Sequence, residues 1–358
     1  MQNNKPVILH CIDSLGRGGA EILLKNTLPL LHDYEHVICY LHPPDDLVSS
    51  FQNYTVYCLH FTSKITFFKA RKKLRQIIDE HRVSIIHTHL FYATLLARLS
   101  SPKKIKFLFT IHNLLSKDAF EVNRLSLFAE RMTYKKNQVV IGVSREVLND
   151  YGRHVGIKGS SFVLYNYVDQ RFFDLKYDYE SQFAEDFKLV AVGNLRRQKN
   201  YFLLLDAFAL LKDLPIRLDI YGSGDLEKPL QERINADGVR VRLMGRTDDV
   251  SKILLNYHAY IMASVFEGFG IAPMEAMAAG MPVLLSNLNV FKELAEDIPG
   301  YFDPNDPVSI AGAIKFAFNN WPLIKERAKK GKDLVYKKAS REIYFKKLGE
   351  IYNSVGVN

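Results

Sequence analysis

Twice along this chain an apolar strand runs into a glycine-bearing turn and then into a helix with an apolar face. PVILHCIDSLGRGGAEILLKNTLPLL does so at 6–31, and FKLVAVGNLRRQKNYFLLLDAFALL repeats the grammar at 187–211. Further apolar strands read at 36–42, 83–89, 106–112, 138–144, 216–222, 241–245 and 259–264, with helical patterns between them, as at 67–80 and 93–100. Strands that alternate with helices and are apolar almost throughout belong to parallel sheets covered on both faces. The expected fold is therefore α/β, built as two doubly wound Rossmann-like domains facing across a cleft.

The chain is 358 residues long, above the usual ceiling for one hydrophobic core. Residues 169–186 lack a clear period and are acidic, which marks the connection between domains. The expected division is an acceptor-side domain at 1–168, a nucleotide-sugar-binding domain at 169–335, and a C-terminal helix at 336–358 that returns to the first domain. With 47% apolar and 12% aromatic residues the chain is not disordered. No apolar run is long enough to span a bilayer, and VILHCI is too short for a secretory core. The three cysteines, Cys11, Cys39 and Cys58, form no CxxC pair and leave an odd count. They read as small buried residues in a reducing compartment, so a cytoplasmic protein is expected, peripheral at the inner face of a membrane if it meets one.

The net charge of +9 is uneven: +8 over 1–169, −5 over 170–324 and +6 over 325–358. KARKKLR at 69–75 sets five basic residues on a helix that also carries Phe67, Phe68, Leu74, Ile77 and Ile78. Its apolar stripe reads as a face packed on the sheet. Its charge, together with the basic tail YKKASREIYFKKLGEIY at 336–352, makes an anionic membrane surface a further candidate partner. Nucleic acid is not expected, because no recognised module or stacking motif accompanies the charge.

In doubly wound sheets ligands sit beyond the carboxyl ends of the strands. EGFGIAPME at 267–275 follows such a strand and holds two acids around a Gly–Phe–Gly turn. Pro273 suits the first turn of a helix and Gly280 its end. Gly268 and Gly270 let backbone amides approach a phosphate at that helix N-terminus. Glu275, one turn into the helix, is placed to accept both hydroxyls of a ribose, and Glu267 to meet hydroxyls beyond the phosphates. In GNLRRQKN at 193–200, Arg196, Arg197 and Lys199 lie where a departing diphosphate needs neutralising. GRGGAE at 16–21 brings Gly18 and Gly19 to a helix start, a pattern that tight packing explains about as well. His87, His89 and His112 each end a strand. His87 and His89 share a strand face, but no third ligand declares itself in the sequence, so no metal is expected.

These elements, together with HTH (87–89), TIHN (110–113), GVS (142–144), LYNYVD (164–169) and YGSG (221–224), occur in the order seen in glycosyltransferase family 4. The resemblance, which looks closest to bacterial surface-polysaccharide enzymes, runs from about residue 7 to DPNDP at 303–307. It implies the two-domain GT-B fold and transfer of a hexose or N-acetylhexosamine, with retention, from a nucleotide diphosphate sugar. UDP is the first expectation and GDP the second, and the acceptor is a glycan or lipid-linked hydroxyl. It implies no cofactor beyond that donor and no obligatory metal. Residue by residue, it implies that Glu267 contacts the donor sugar, Glu275 the ribose and Lys199 the diphosphate. Gly268, Phe269, Gly270 and Ile271 match the loop touching phosphate and sugar. Arg246 matches the segment that lines the base, and His112 a histidine on the donor sugar. Two positions depart from the family pattern. Asn194 stands where arginine is usual, so that Arg196 or Arg197 must supply the charge, and Tyr167 stands where glycine is usual.

Rival readings use some of the same residues. A glycosidase also needs two carboxylates, but flanking one bond and without a phosphate loop. A nucleotide-sugar epimerase shares the two-lobed architecture but needs no basic acceptor surface. A non-catalytic sugar-nucleotide-binding protein is a further reading, and intact Glu267, Lys199 and Glu275 argue against such decay.

Overall fold

The computed structural model describes residues 5–62, 65–117, 124–179 and 186–356. Its contacts divide the chain into two compact units, Met1–Tyr165 with Lys346–Asn358, and Asn166–Phe345. The sequence-predicted connection at 169–186 lies in the second unit, and its residues 180–185 fall outside the described ones.

The first unit holds seven parallel strands: β1 (Val7–Ile12), β2 (Glu35–Tyr40), β3 (Thr55–Cys58), β4 (Ile85–His89), β5 (Lys106–Ile111), β6 (Gln138–Gly142) and β7 (Ser161–Val163). Their order is β3-β2-β1-β4-β5-β6-β7. The second unit holds six: β8 (Phe187–Val192), β9 (Ile216–Tyr221), β10 (Val241–Gly245), β11 (Ala259–Met262), β12 (Val283–Ser286) and β13 (Gly300–Phe302), ordered β10-β9-β8-β11-β12-β13. Both sheets run outward from their first strand in one direction and then resume on its other side. The switch points lie between β1 and β4 and between β8 and β11. There the loops after neighbouring strands diverge and leave a crevice for ligand. The two sheets are those of the expected doubly wound, Rossmann-like fold.

Strand alternation decides what each face of the first sheet carries. Leu9, Cys11, Val37, Cys39, Ile86, Phe107 and Phe109 join one core cluster. The helix Phe67–Glu80 covers it with Ala70, Leu74, Ile77 and Ile78, as its sequence stripe predicts. Cys11 and Cys39 are buried register neighbours, and Cys58 is half-buried; all three are free thiols. The other face packs Ile12, Leu24, Ile38 and Phe51. The positions between the first set, namely His10, His36, His87, His89 and His112, turn to this second face.

The C-terminal pattern resolves into two helices, Trp321–Ala339 and Arg341–Ser354, and not one. Ser340 interrupts them with extended ψ (157°). Residues from Lys346 onward belong to the first unit, where the Tyr352 hydroxyl lies 2.8 Å from His87 Nδ1. The departure at Tyr167 has a packing reason. Its ring is buried against Tyr344 and Phe345, with centroids 5.0 and 5.7 Å away, so a large side chain fills space that glycine would leave open. Among the described residues no helix is long and apolar enough to cross a membrane.

Candidate functional site

The switch point of the second sheet collects most of the residues singled out in the sequence. The loop after β8 holds Arg196, Arg197 and Lys199, and the loop after β11 holds Glu267 to Gly270. Hydrogen bonds staple the two loops together. Val265 N donates to the Gln198 carbonyl (3.0 Å), and Gln198 Nε2 donates to the Phe266 carbonyl (2.8 Å). On that frame Lys199 Nζ meets Glu267 Oε1 at 2.7 Å, with side-chain exposures of 18% and 9%. A pair this close and this shielded from water is held by charge as well as by a hydrogen bond.

Close backbone approach explains the glycines behind the first loop. A Cβ on Gly222 would lie 1.9 Å from the Gly193 carbonyl oxygen, and one on Gly224 would lie 2.6 Å from that of Leu195. Only glycine lets YGSG lie flat on GNL, with Gly193 N bonded to the Tyr221 carbonyl and Leu195 N to that of Ser223. Arg246, in the next turn, donates from Nε to Ser223 Oγ, so it belongs to the same group of loops. Asn194, Arg196 and Arg197 are all exposed.

The second loop buries Gly268, Phe269 and Gly270 and leads into the helix Ile271–Ala278. Gly270 takes φ +78°, and a Cβ there would strike the Phe291 ring at 2.5 Å. Pro273 sits in the first turn. Gly280 closes the helix with φ +82°: its N–H bonds to the Met277 carbonyl and that of Met281 to the Ala276 carbonyl.

Glu275 is partly covered, and burial pushes its carboxyl from 4.5 up to about 8. Arg171 draws that value down, while Asp169 and Asp249 raise it; Arg171 itself contacts Asp249 at 3.5 Å. A carboxyl in this state gains most from a ligand that offers it hydroxyl groups.

The other candidates lie in the first unit. Gly18 precedes the helix Gly19–Thr27, and a Cβ there would meet Glu21 Oε2 at 2.3 Å. That glycine makes room for a carboxylate of its own helix, which accounts for it by packing. Around Gly19 the space is open. His112 follows β5, with Nε2 3.1 Å from His89 Nδ1, and burial lowers its pKa to about 4. It lines a cavity of about 70 Å³ with Phe91, Phe109, Leu115 and Leu127.

The sequence reading missed two features. Asp13, at the end of β1, is buried, and its Oδ1 accepts from Ala93 N at 2.6 Å, capping the helix after β4. Burial lifts its pKa to about 7. The second is a correction: a third histidine does accompany His87 and His89. His10 is a strand neighbour of His87 in register, a relation that no spacing in the sequence displays.

Two family models match the chain: Glycosyltransferase Family 4 over residues 17–172, and Glycosyl transferases group 1 over 177–334. The chain is 29% identical over 206 residues to an uncharacterized glycosyltransferase of Methanocaldococcus jannaschii, a match that spans about half of each protein (53% of both). It is 23% identical over 304 residues to N-acetyl-alpha-D-glucosaminyl L-malate synthase of Bacillus anthracis, covering 79% of this chain and 78% of that one. Among solved structures, Anabaena HepE in complex with UDP and glucose superposes with a TM-score of 0.84 at 18% identity, over 98% of this chain and 100% of that one.

Proposed function

Because this chain belongs to the family-4 glycosyltransferases, sugar-transferring enzymes of the GT-B fold, we propose that it uses a nucleotide diphosphate sugar as donor. A hexose or N-acetylhexosamine passes, with retention, to a hydroxyl of a glycan or lipid-linked acceptor. The observation that carries the reading is the Lys199–Glu267 contact of 2.7 Å at the switch point of the second sheet, with Glu275 in the helix that follows. UDP as the base-bearing half is supported by HepE, whose structure holds UDP and glucose.

The reaction breaks the bond from the anomeric carbon to the diphosphate and forms one to the acceptor oxygen on the same face. The acceptor's proton goes to the departing phosphate oxygen, so no protein nucleophile is required. The chain's own task is to position the reactants and to stabilise charge growing on the diphosphate. Lys199, with Arg196 or Arg197, supplies that charge. Glu267 holds Lys199 in place before the donor arrives and orients the donor sugar. The backbone of Gly268, Phe269, Gly270 and Ile271 meets phosphate and sugar, Glu275 accepts the ribose hydroxyls, and Arg246 borders the base. In the first unit His112 is the candidate contact for the donor sugar, and of the two glycines Gly19, with open space around it, is the candidate for the donor, Gly18 being accounted for by Glu21.

The basic helix Phe67–Glu80 carries exposed Phe68 and Lys69. Its charge supports peripheral association with an anionic membrane surface, which would bring the enzyme to a lipid-linked acceptor.

The test is a panel of nucleotide sugars screened for protection against thermal unfolding, followed by transfer assays with those that protect. Protection by a nucleoside diphosphate and its sugar, lost in Glu275→Ala, is the expected result. Absence of protection by every nucleotide sugar would overturn the proposal.

A further inference from the structure

Five histidines share one face of the first sheet, from His36 near the start of β2 to His89 and His112 at the ends of β4 and β5, and their hydrogen bonds fix where the protons sit. His36 Nε2 lies 3.1 Å from the Leu31 carbonyl oxygen, which can only accept, so that nitrogen carries the proton. In a neutral ring His36 Nδ1 is then a lone pair, and its neighbour at 3.1 Å, His10 Nε2, must be the donor. His10 Nδ1 is therefore a bare lone pair, and among the described residues nothing partners it.

The same reasoning applies to His89. One proton lies between His89 Nδ1 and His112 Nε2, while His89 Nε2 has no partner among the described residues. A proton on that nitrogen would be a buried donor with nothing to give to. With the proton on Nδ1 the contact is satisfied and a second lone pair is left at Nε2. His87 lies between them. Its nitrogens contact the Thr110 and Tyr352 hydroxyls at 2.8 Å each, so ligation through His87 takes the place of one of these hydroxyls while the other accepts the remaining ring proton.

One nitrogen from each of His10, His87 and His89 lies within 4.8 Å of those of the other two, and all three residues are at least nine-tenths buried. Burial keeps the rings neutral, as metal ligation requires: His87 is lowered to about 3, and His10 and His89 well below their ordinary range. Unpaired acceptors in a buried place are costly, and a cation satisfies several at once.

We propose that His10, His87 and His89 form a binding site for a divalent transition-metal ion of imidazole preference, Zn2+ first. Zinc–nitrogen bonds of about 2.0–2.1 Å with tetrahedral geometry set ligand nitrogens roughly 3.3 Å apart, so the three rings, whose nitrogens lie within 4.8 Å of one another, would draw together around the ion. Neutral nitrogen ligands without carboxylates favour zinc, copper or nickel over magnesium or calcium. The ion would tie β1 to β4 at the switch point and hold His89, which in turn orients His112. Thr110 and His112, the groups that contact His87 and His89, also line the cavity of the first unit.

The experiment begins with wild-type protein stripped by chelator, loaded with Zn2+ or Co2+, desalted and assayed for metal. About one ion retained per chain is expected, with the visible bands of tetrahedral, nitrogen-ligated Co2+. His10→Gln and His89→Gln should each lose most of it, and His60→Ala, beside Cys58 on the surface, should keep it. X-ray absorption at the zinc edge of the wild type requires no variant to fold: three imidazole scatterers support the site. No retained ion, sulfur ligation, or retention unchanged in folded His10→Gln would each overturn the proposal.

Discussion

Glu275 makes the second unit's stability depend on pH in a way that one substitution isolates. Its carboxyl stands at about 8 in the folded chain against an ordinary 4.5, with burial as the first cause. Because the folded value is raised, the contribution is fully present below about 4.5 and is lost as pH rises through about 8. Between pH 5 and 8, at ~1.4 kcal/mol per pH unit, the ceiling on that loss is ~4 kcal/mol. Solvent reaching the partly covered side chain reduces the expectation to ~2–3 kcal/mol. Glu275→Gln keeps the shape but cannot ionise, so it should lack this slope. The chain has a single tryptophan, Trp321, buried in the second unit, and its fluorescence reports that unit's unfolding separately from the first. Urea titrations followed at Trp321, for wild type and variant at pH 5 and pH 8, give the difference directly. Subtracting the variant removes other titrating groups, such as His258, which is lowered to about 4 mainly by burial. A wild-type-minus-variant difference that is the same at both pH values would refute the raised, protonated Glu275 carboxyl. Saturating nucleoside diphosphate should flatten the slope if ribose hydroxyls pair with the ionised carboxylate.

Lys199→Ala should lower turnover by about a hundredfold or more, because it removes charge aimed at the leaving diphosphate; steady-state kinetics with the protecting donor checks this. Glu267→Gln frees Lys199 from its 2.7 Å partner, so nucleoside diphosphate should bind more tightly while turnover falls, and calorimetry beside kinetics separates the two effects. Arg196→Ala and Arg197→Ala should differ from one another in turnover; equal, negligible effects would mean that Asn194 marks a lost phosphate contact. Co-sedimentation with anionic liposomes should weaken with salt and on neutralising Lys69, Arg71, Lys72 and Lys73, each basic residue contributing about 1 kcal/mol near such a surface; binding indifferent to both would exclude membrane association.

Periodicity and turn chemistry are local properties, and what depends on them was legible in the chain itself. Apolar runs such as VILHCI and FKLVAV announce buried parallel strands, and the stripe of Leu74, Ile77 and Ile78 announces the face that packs on the sheet. The Gly280 helix end and the Gly268–Gly270 turn follow from backbone freedom alone. Short strands escaped. β3, β7, β12 and β13, of four, three, four and three residues, are too brief to show a period, and all but β12 lie at sheet edges, where few neighbours demand a long apolar run. The break at Ser340 also escaped, since the helical period continues through it. Strand order belongs to tertiary structure. β11 enters beside β8 although β9 and β10 come first in the chain, and only that crossover brings Lys199 to Glu267 across 68 residues. The same crossover in the first sheet sets His10 against His87, turning a lone histidine on an apolar strand into part of a buried cluster. Raised carboxyls at Glu275 and Asp13 belong to this second category. Burial is a property of everything packed around a group, and no residue carries it in its own letter.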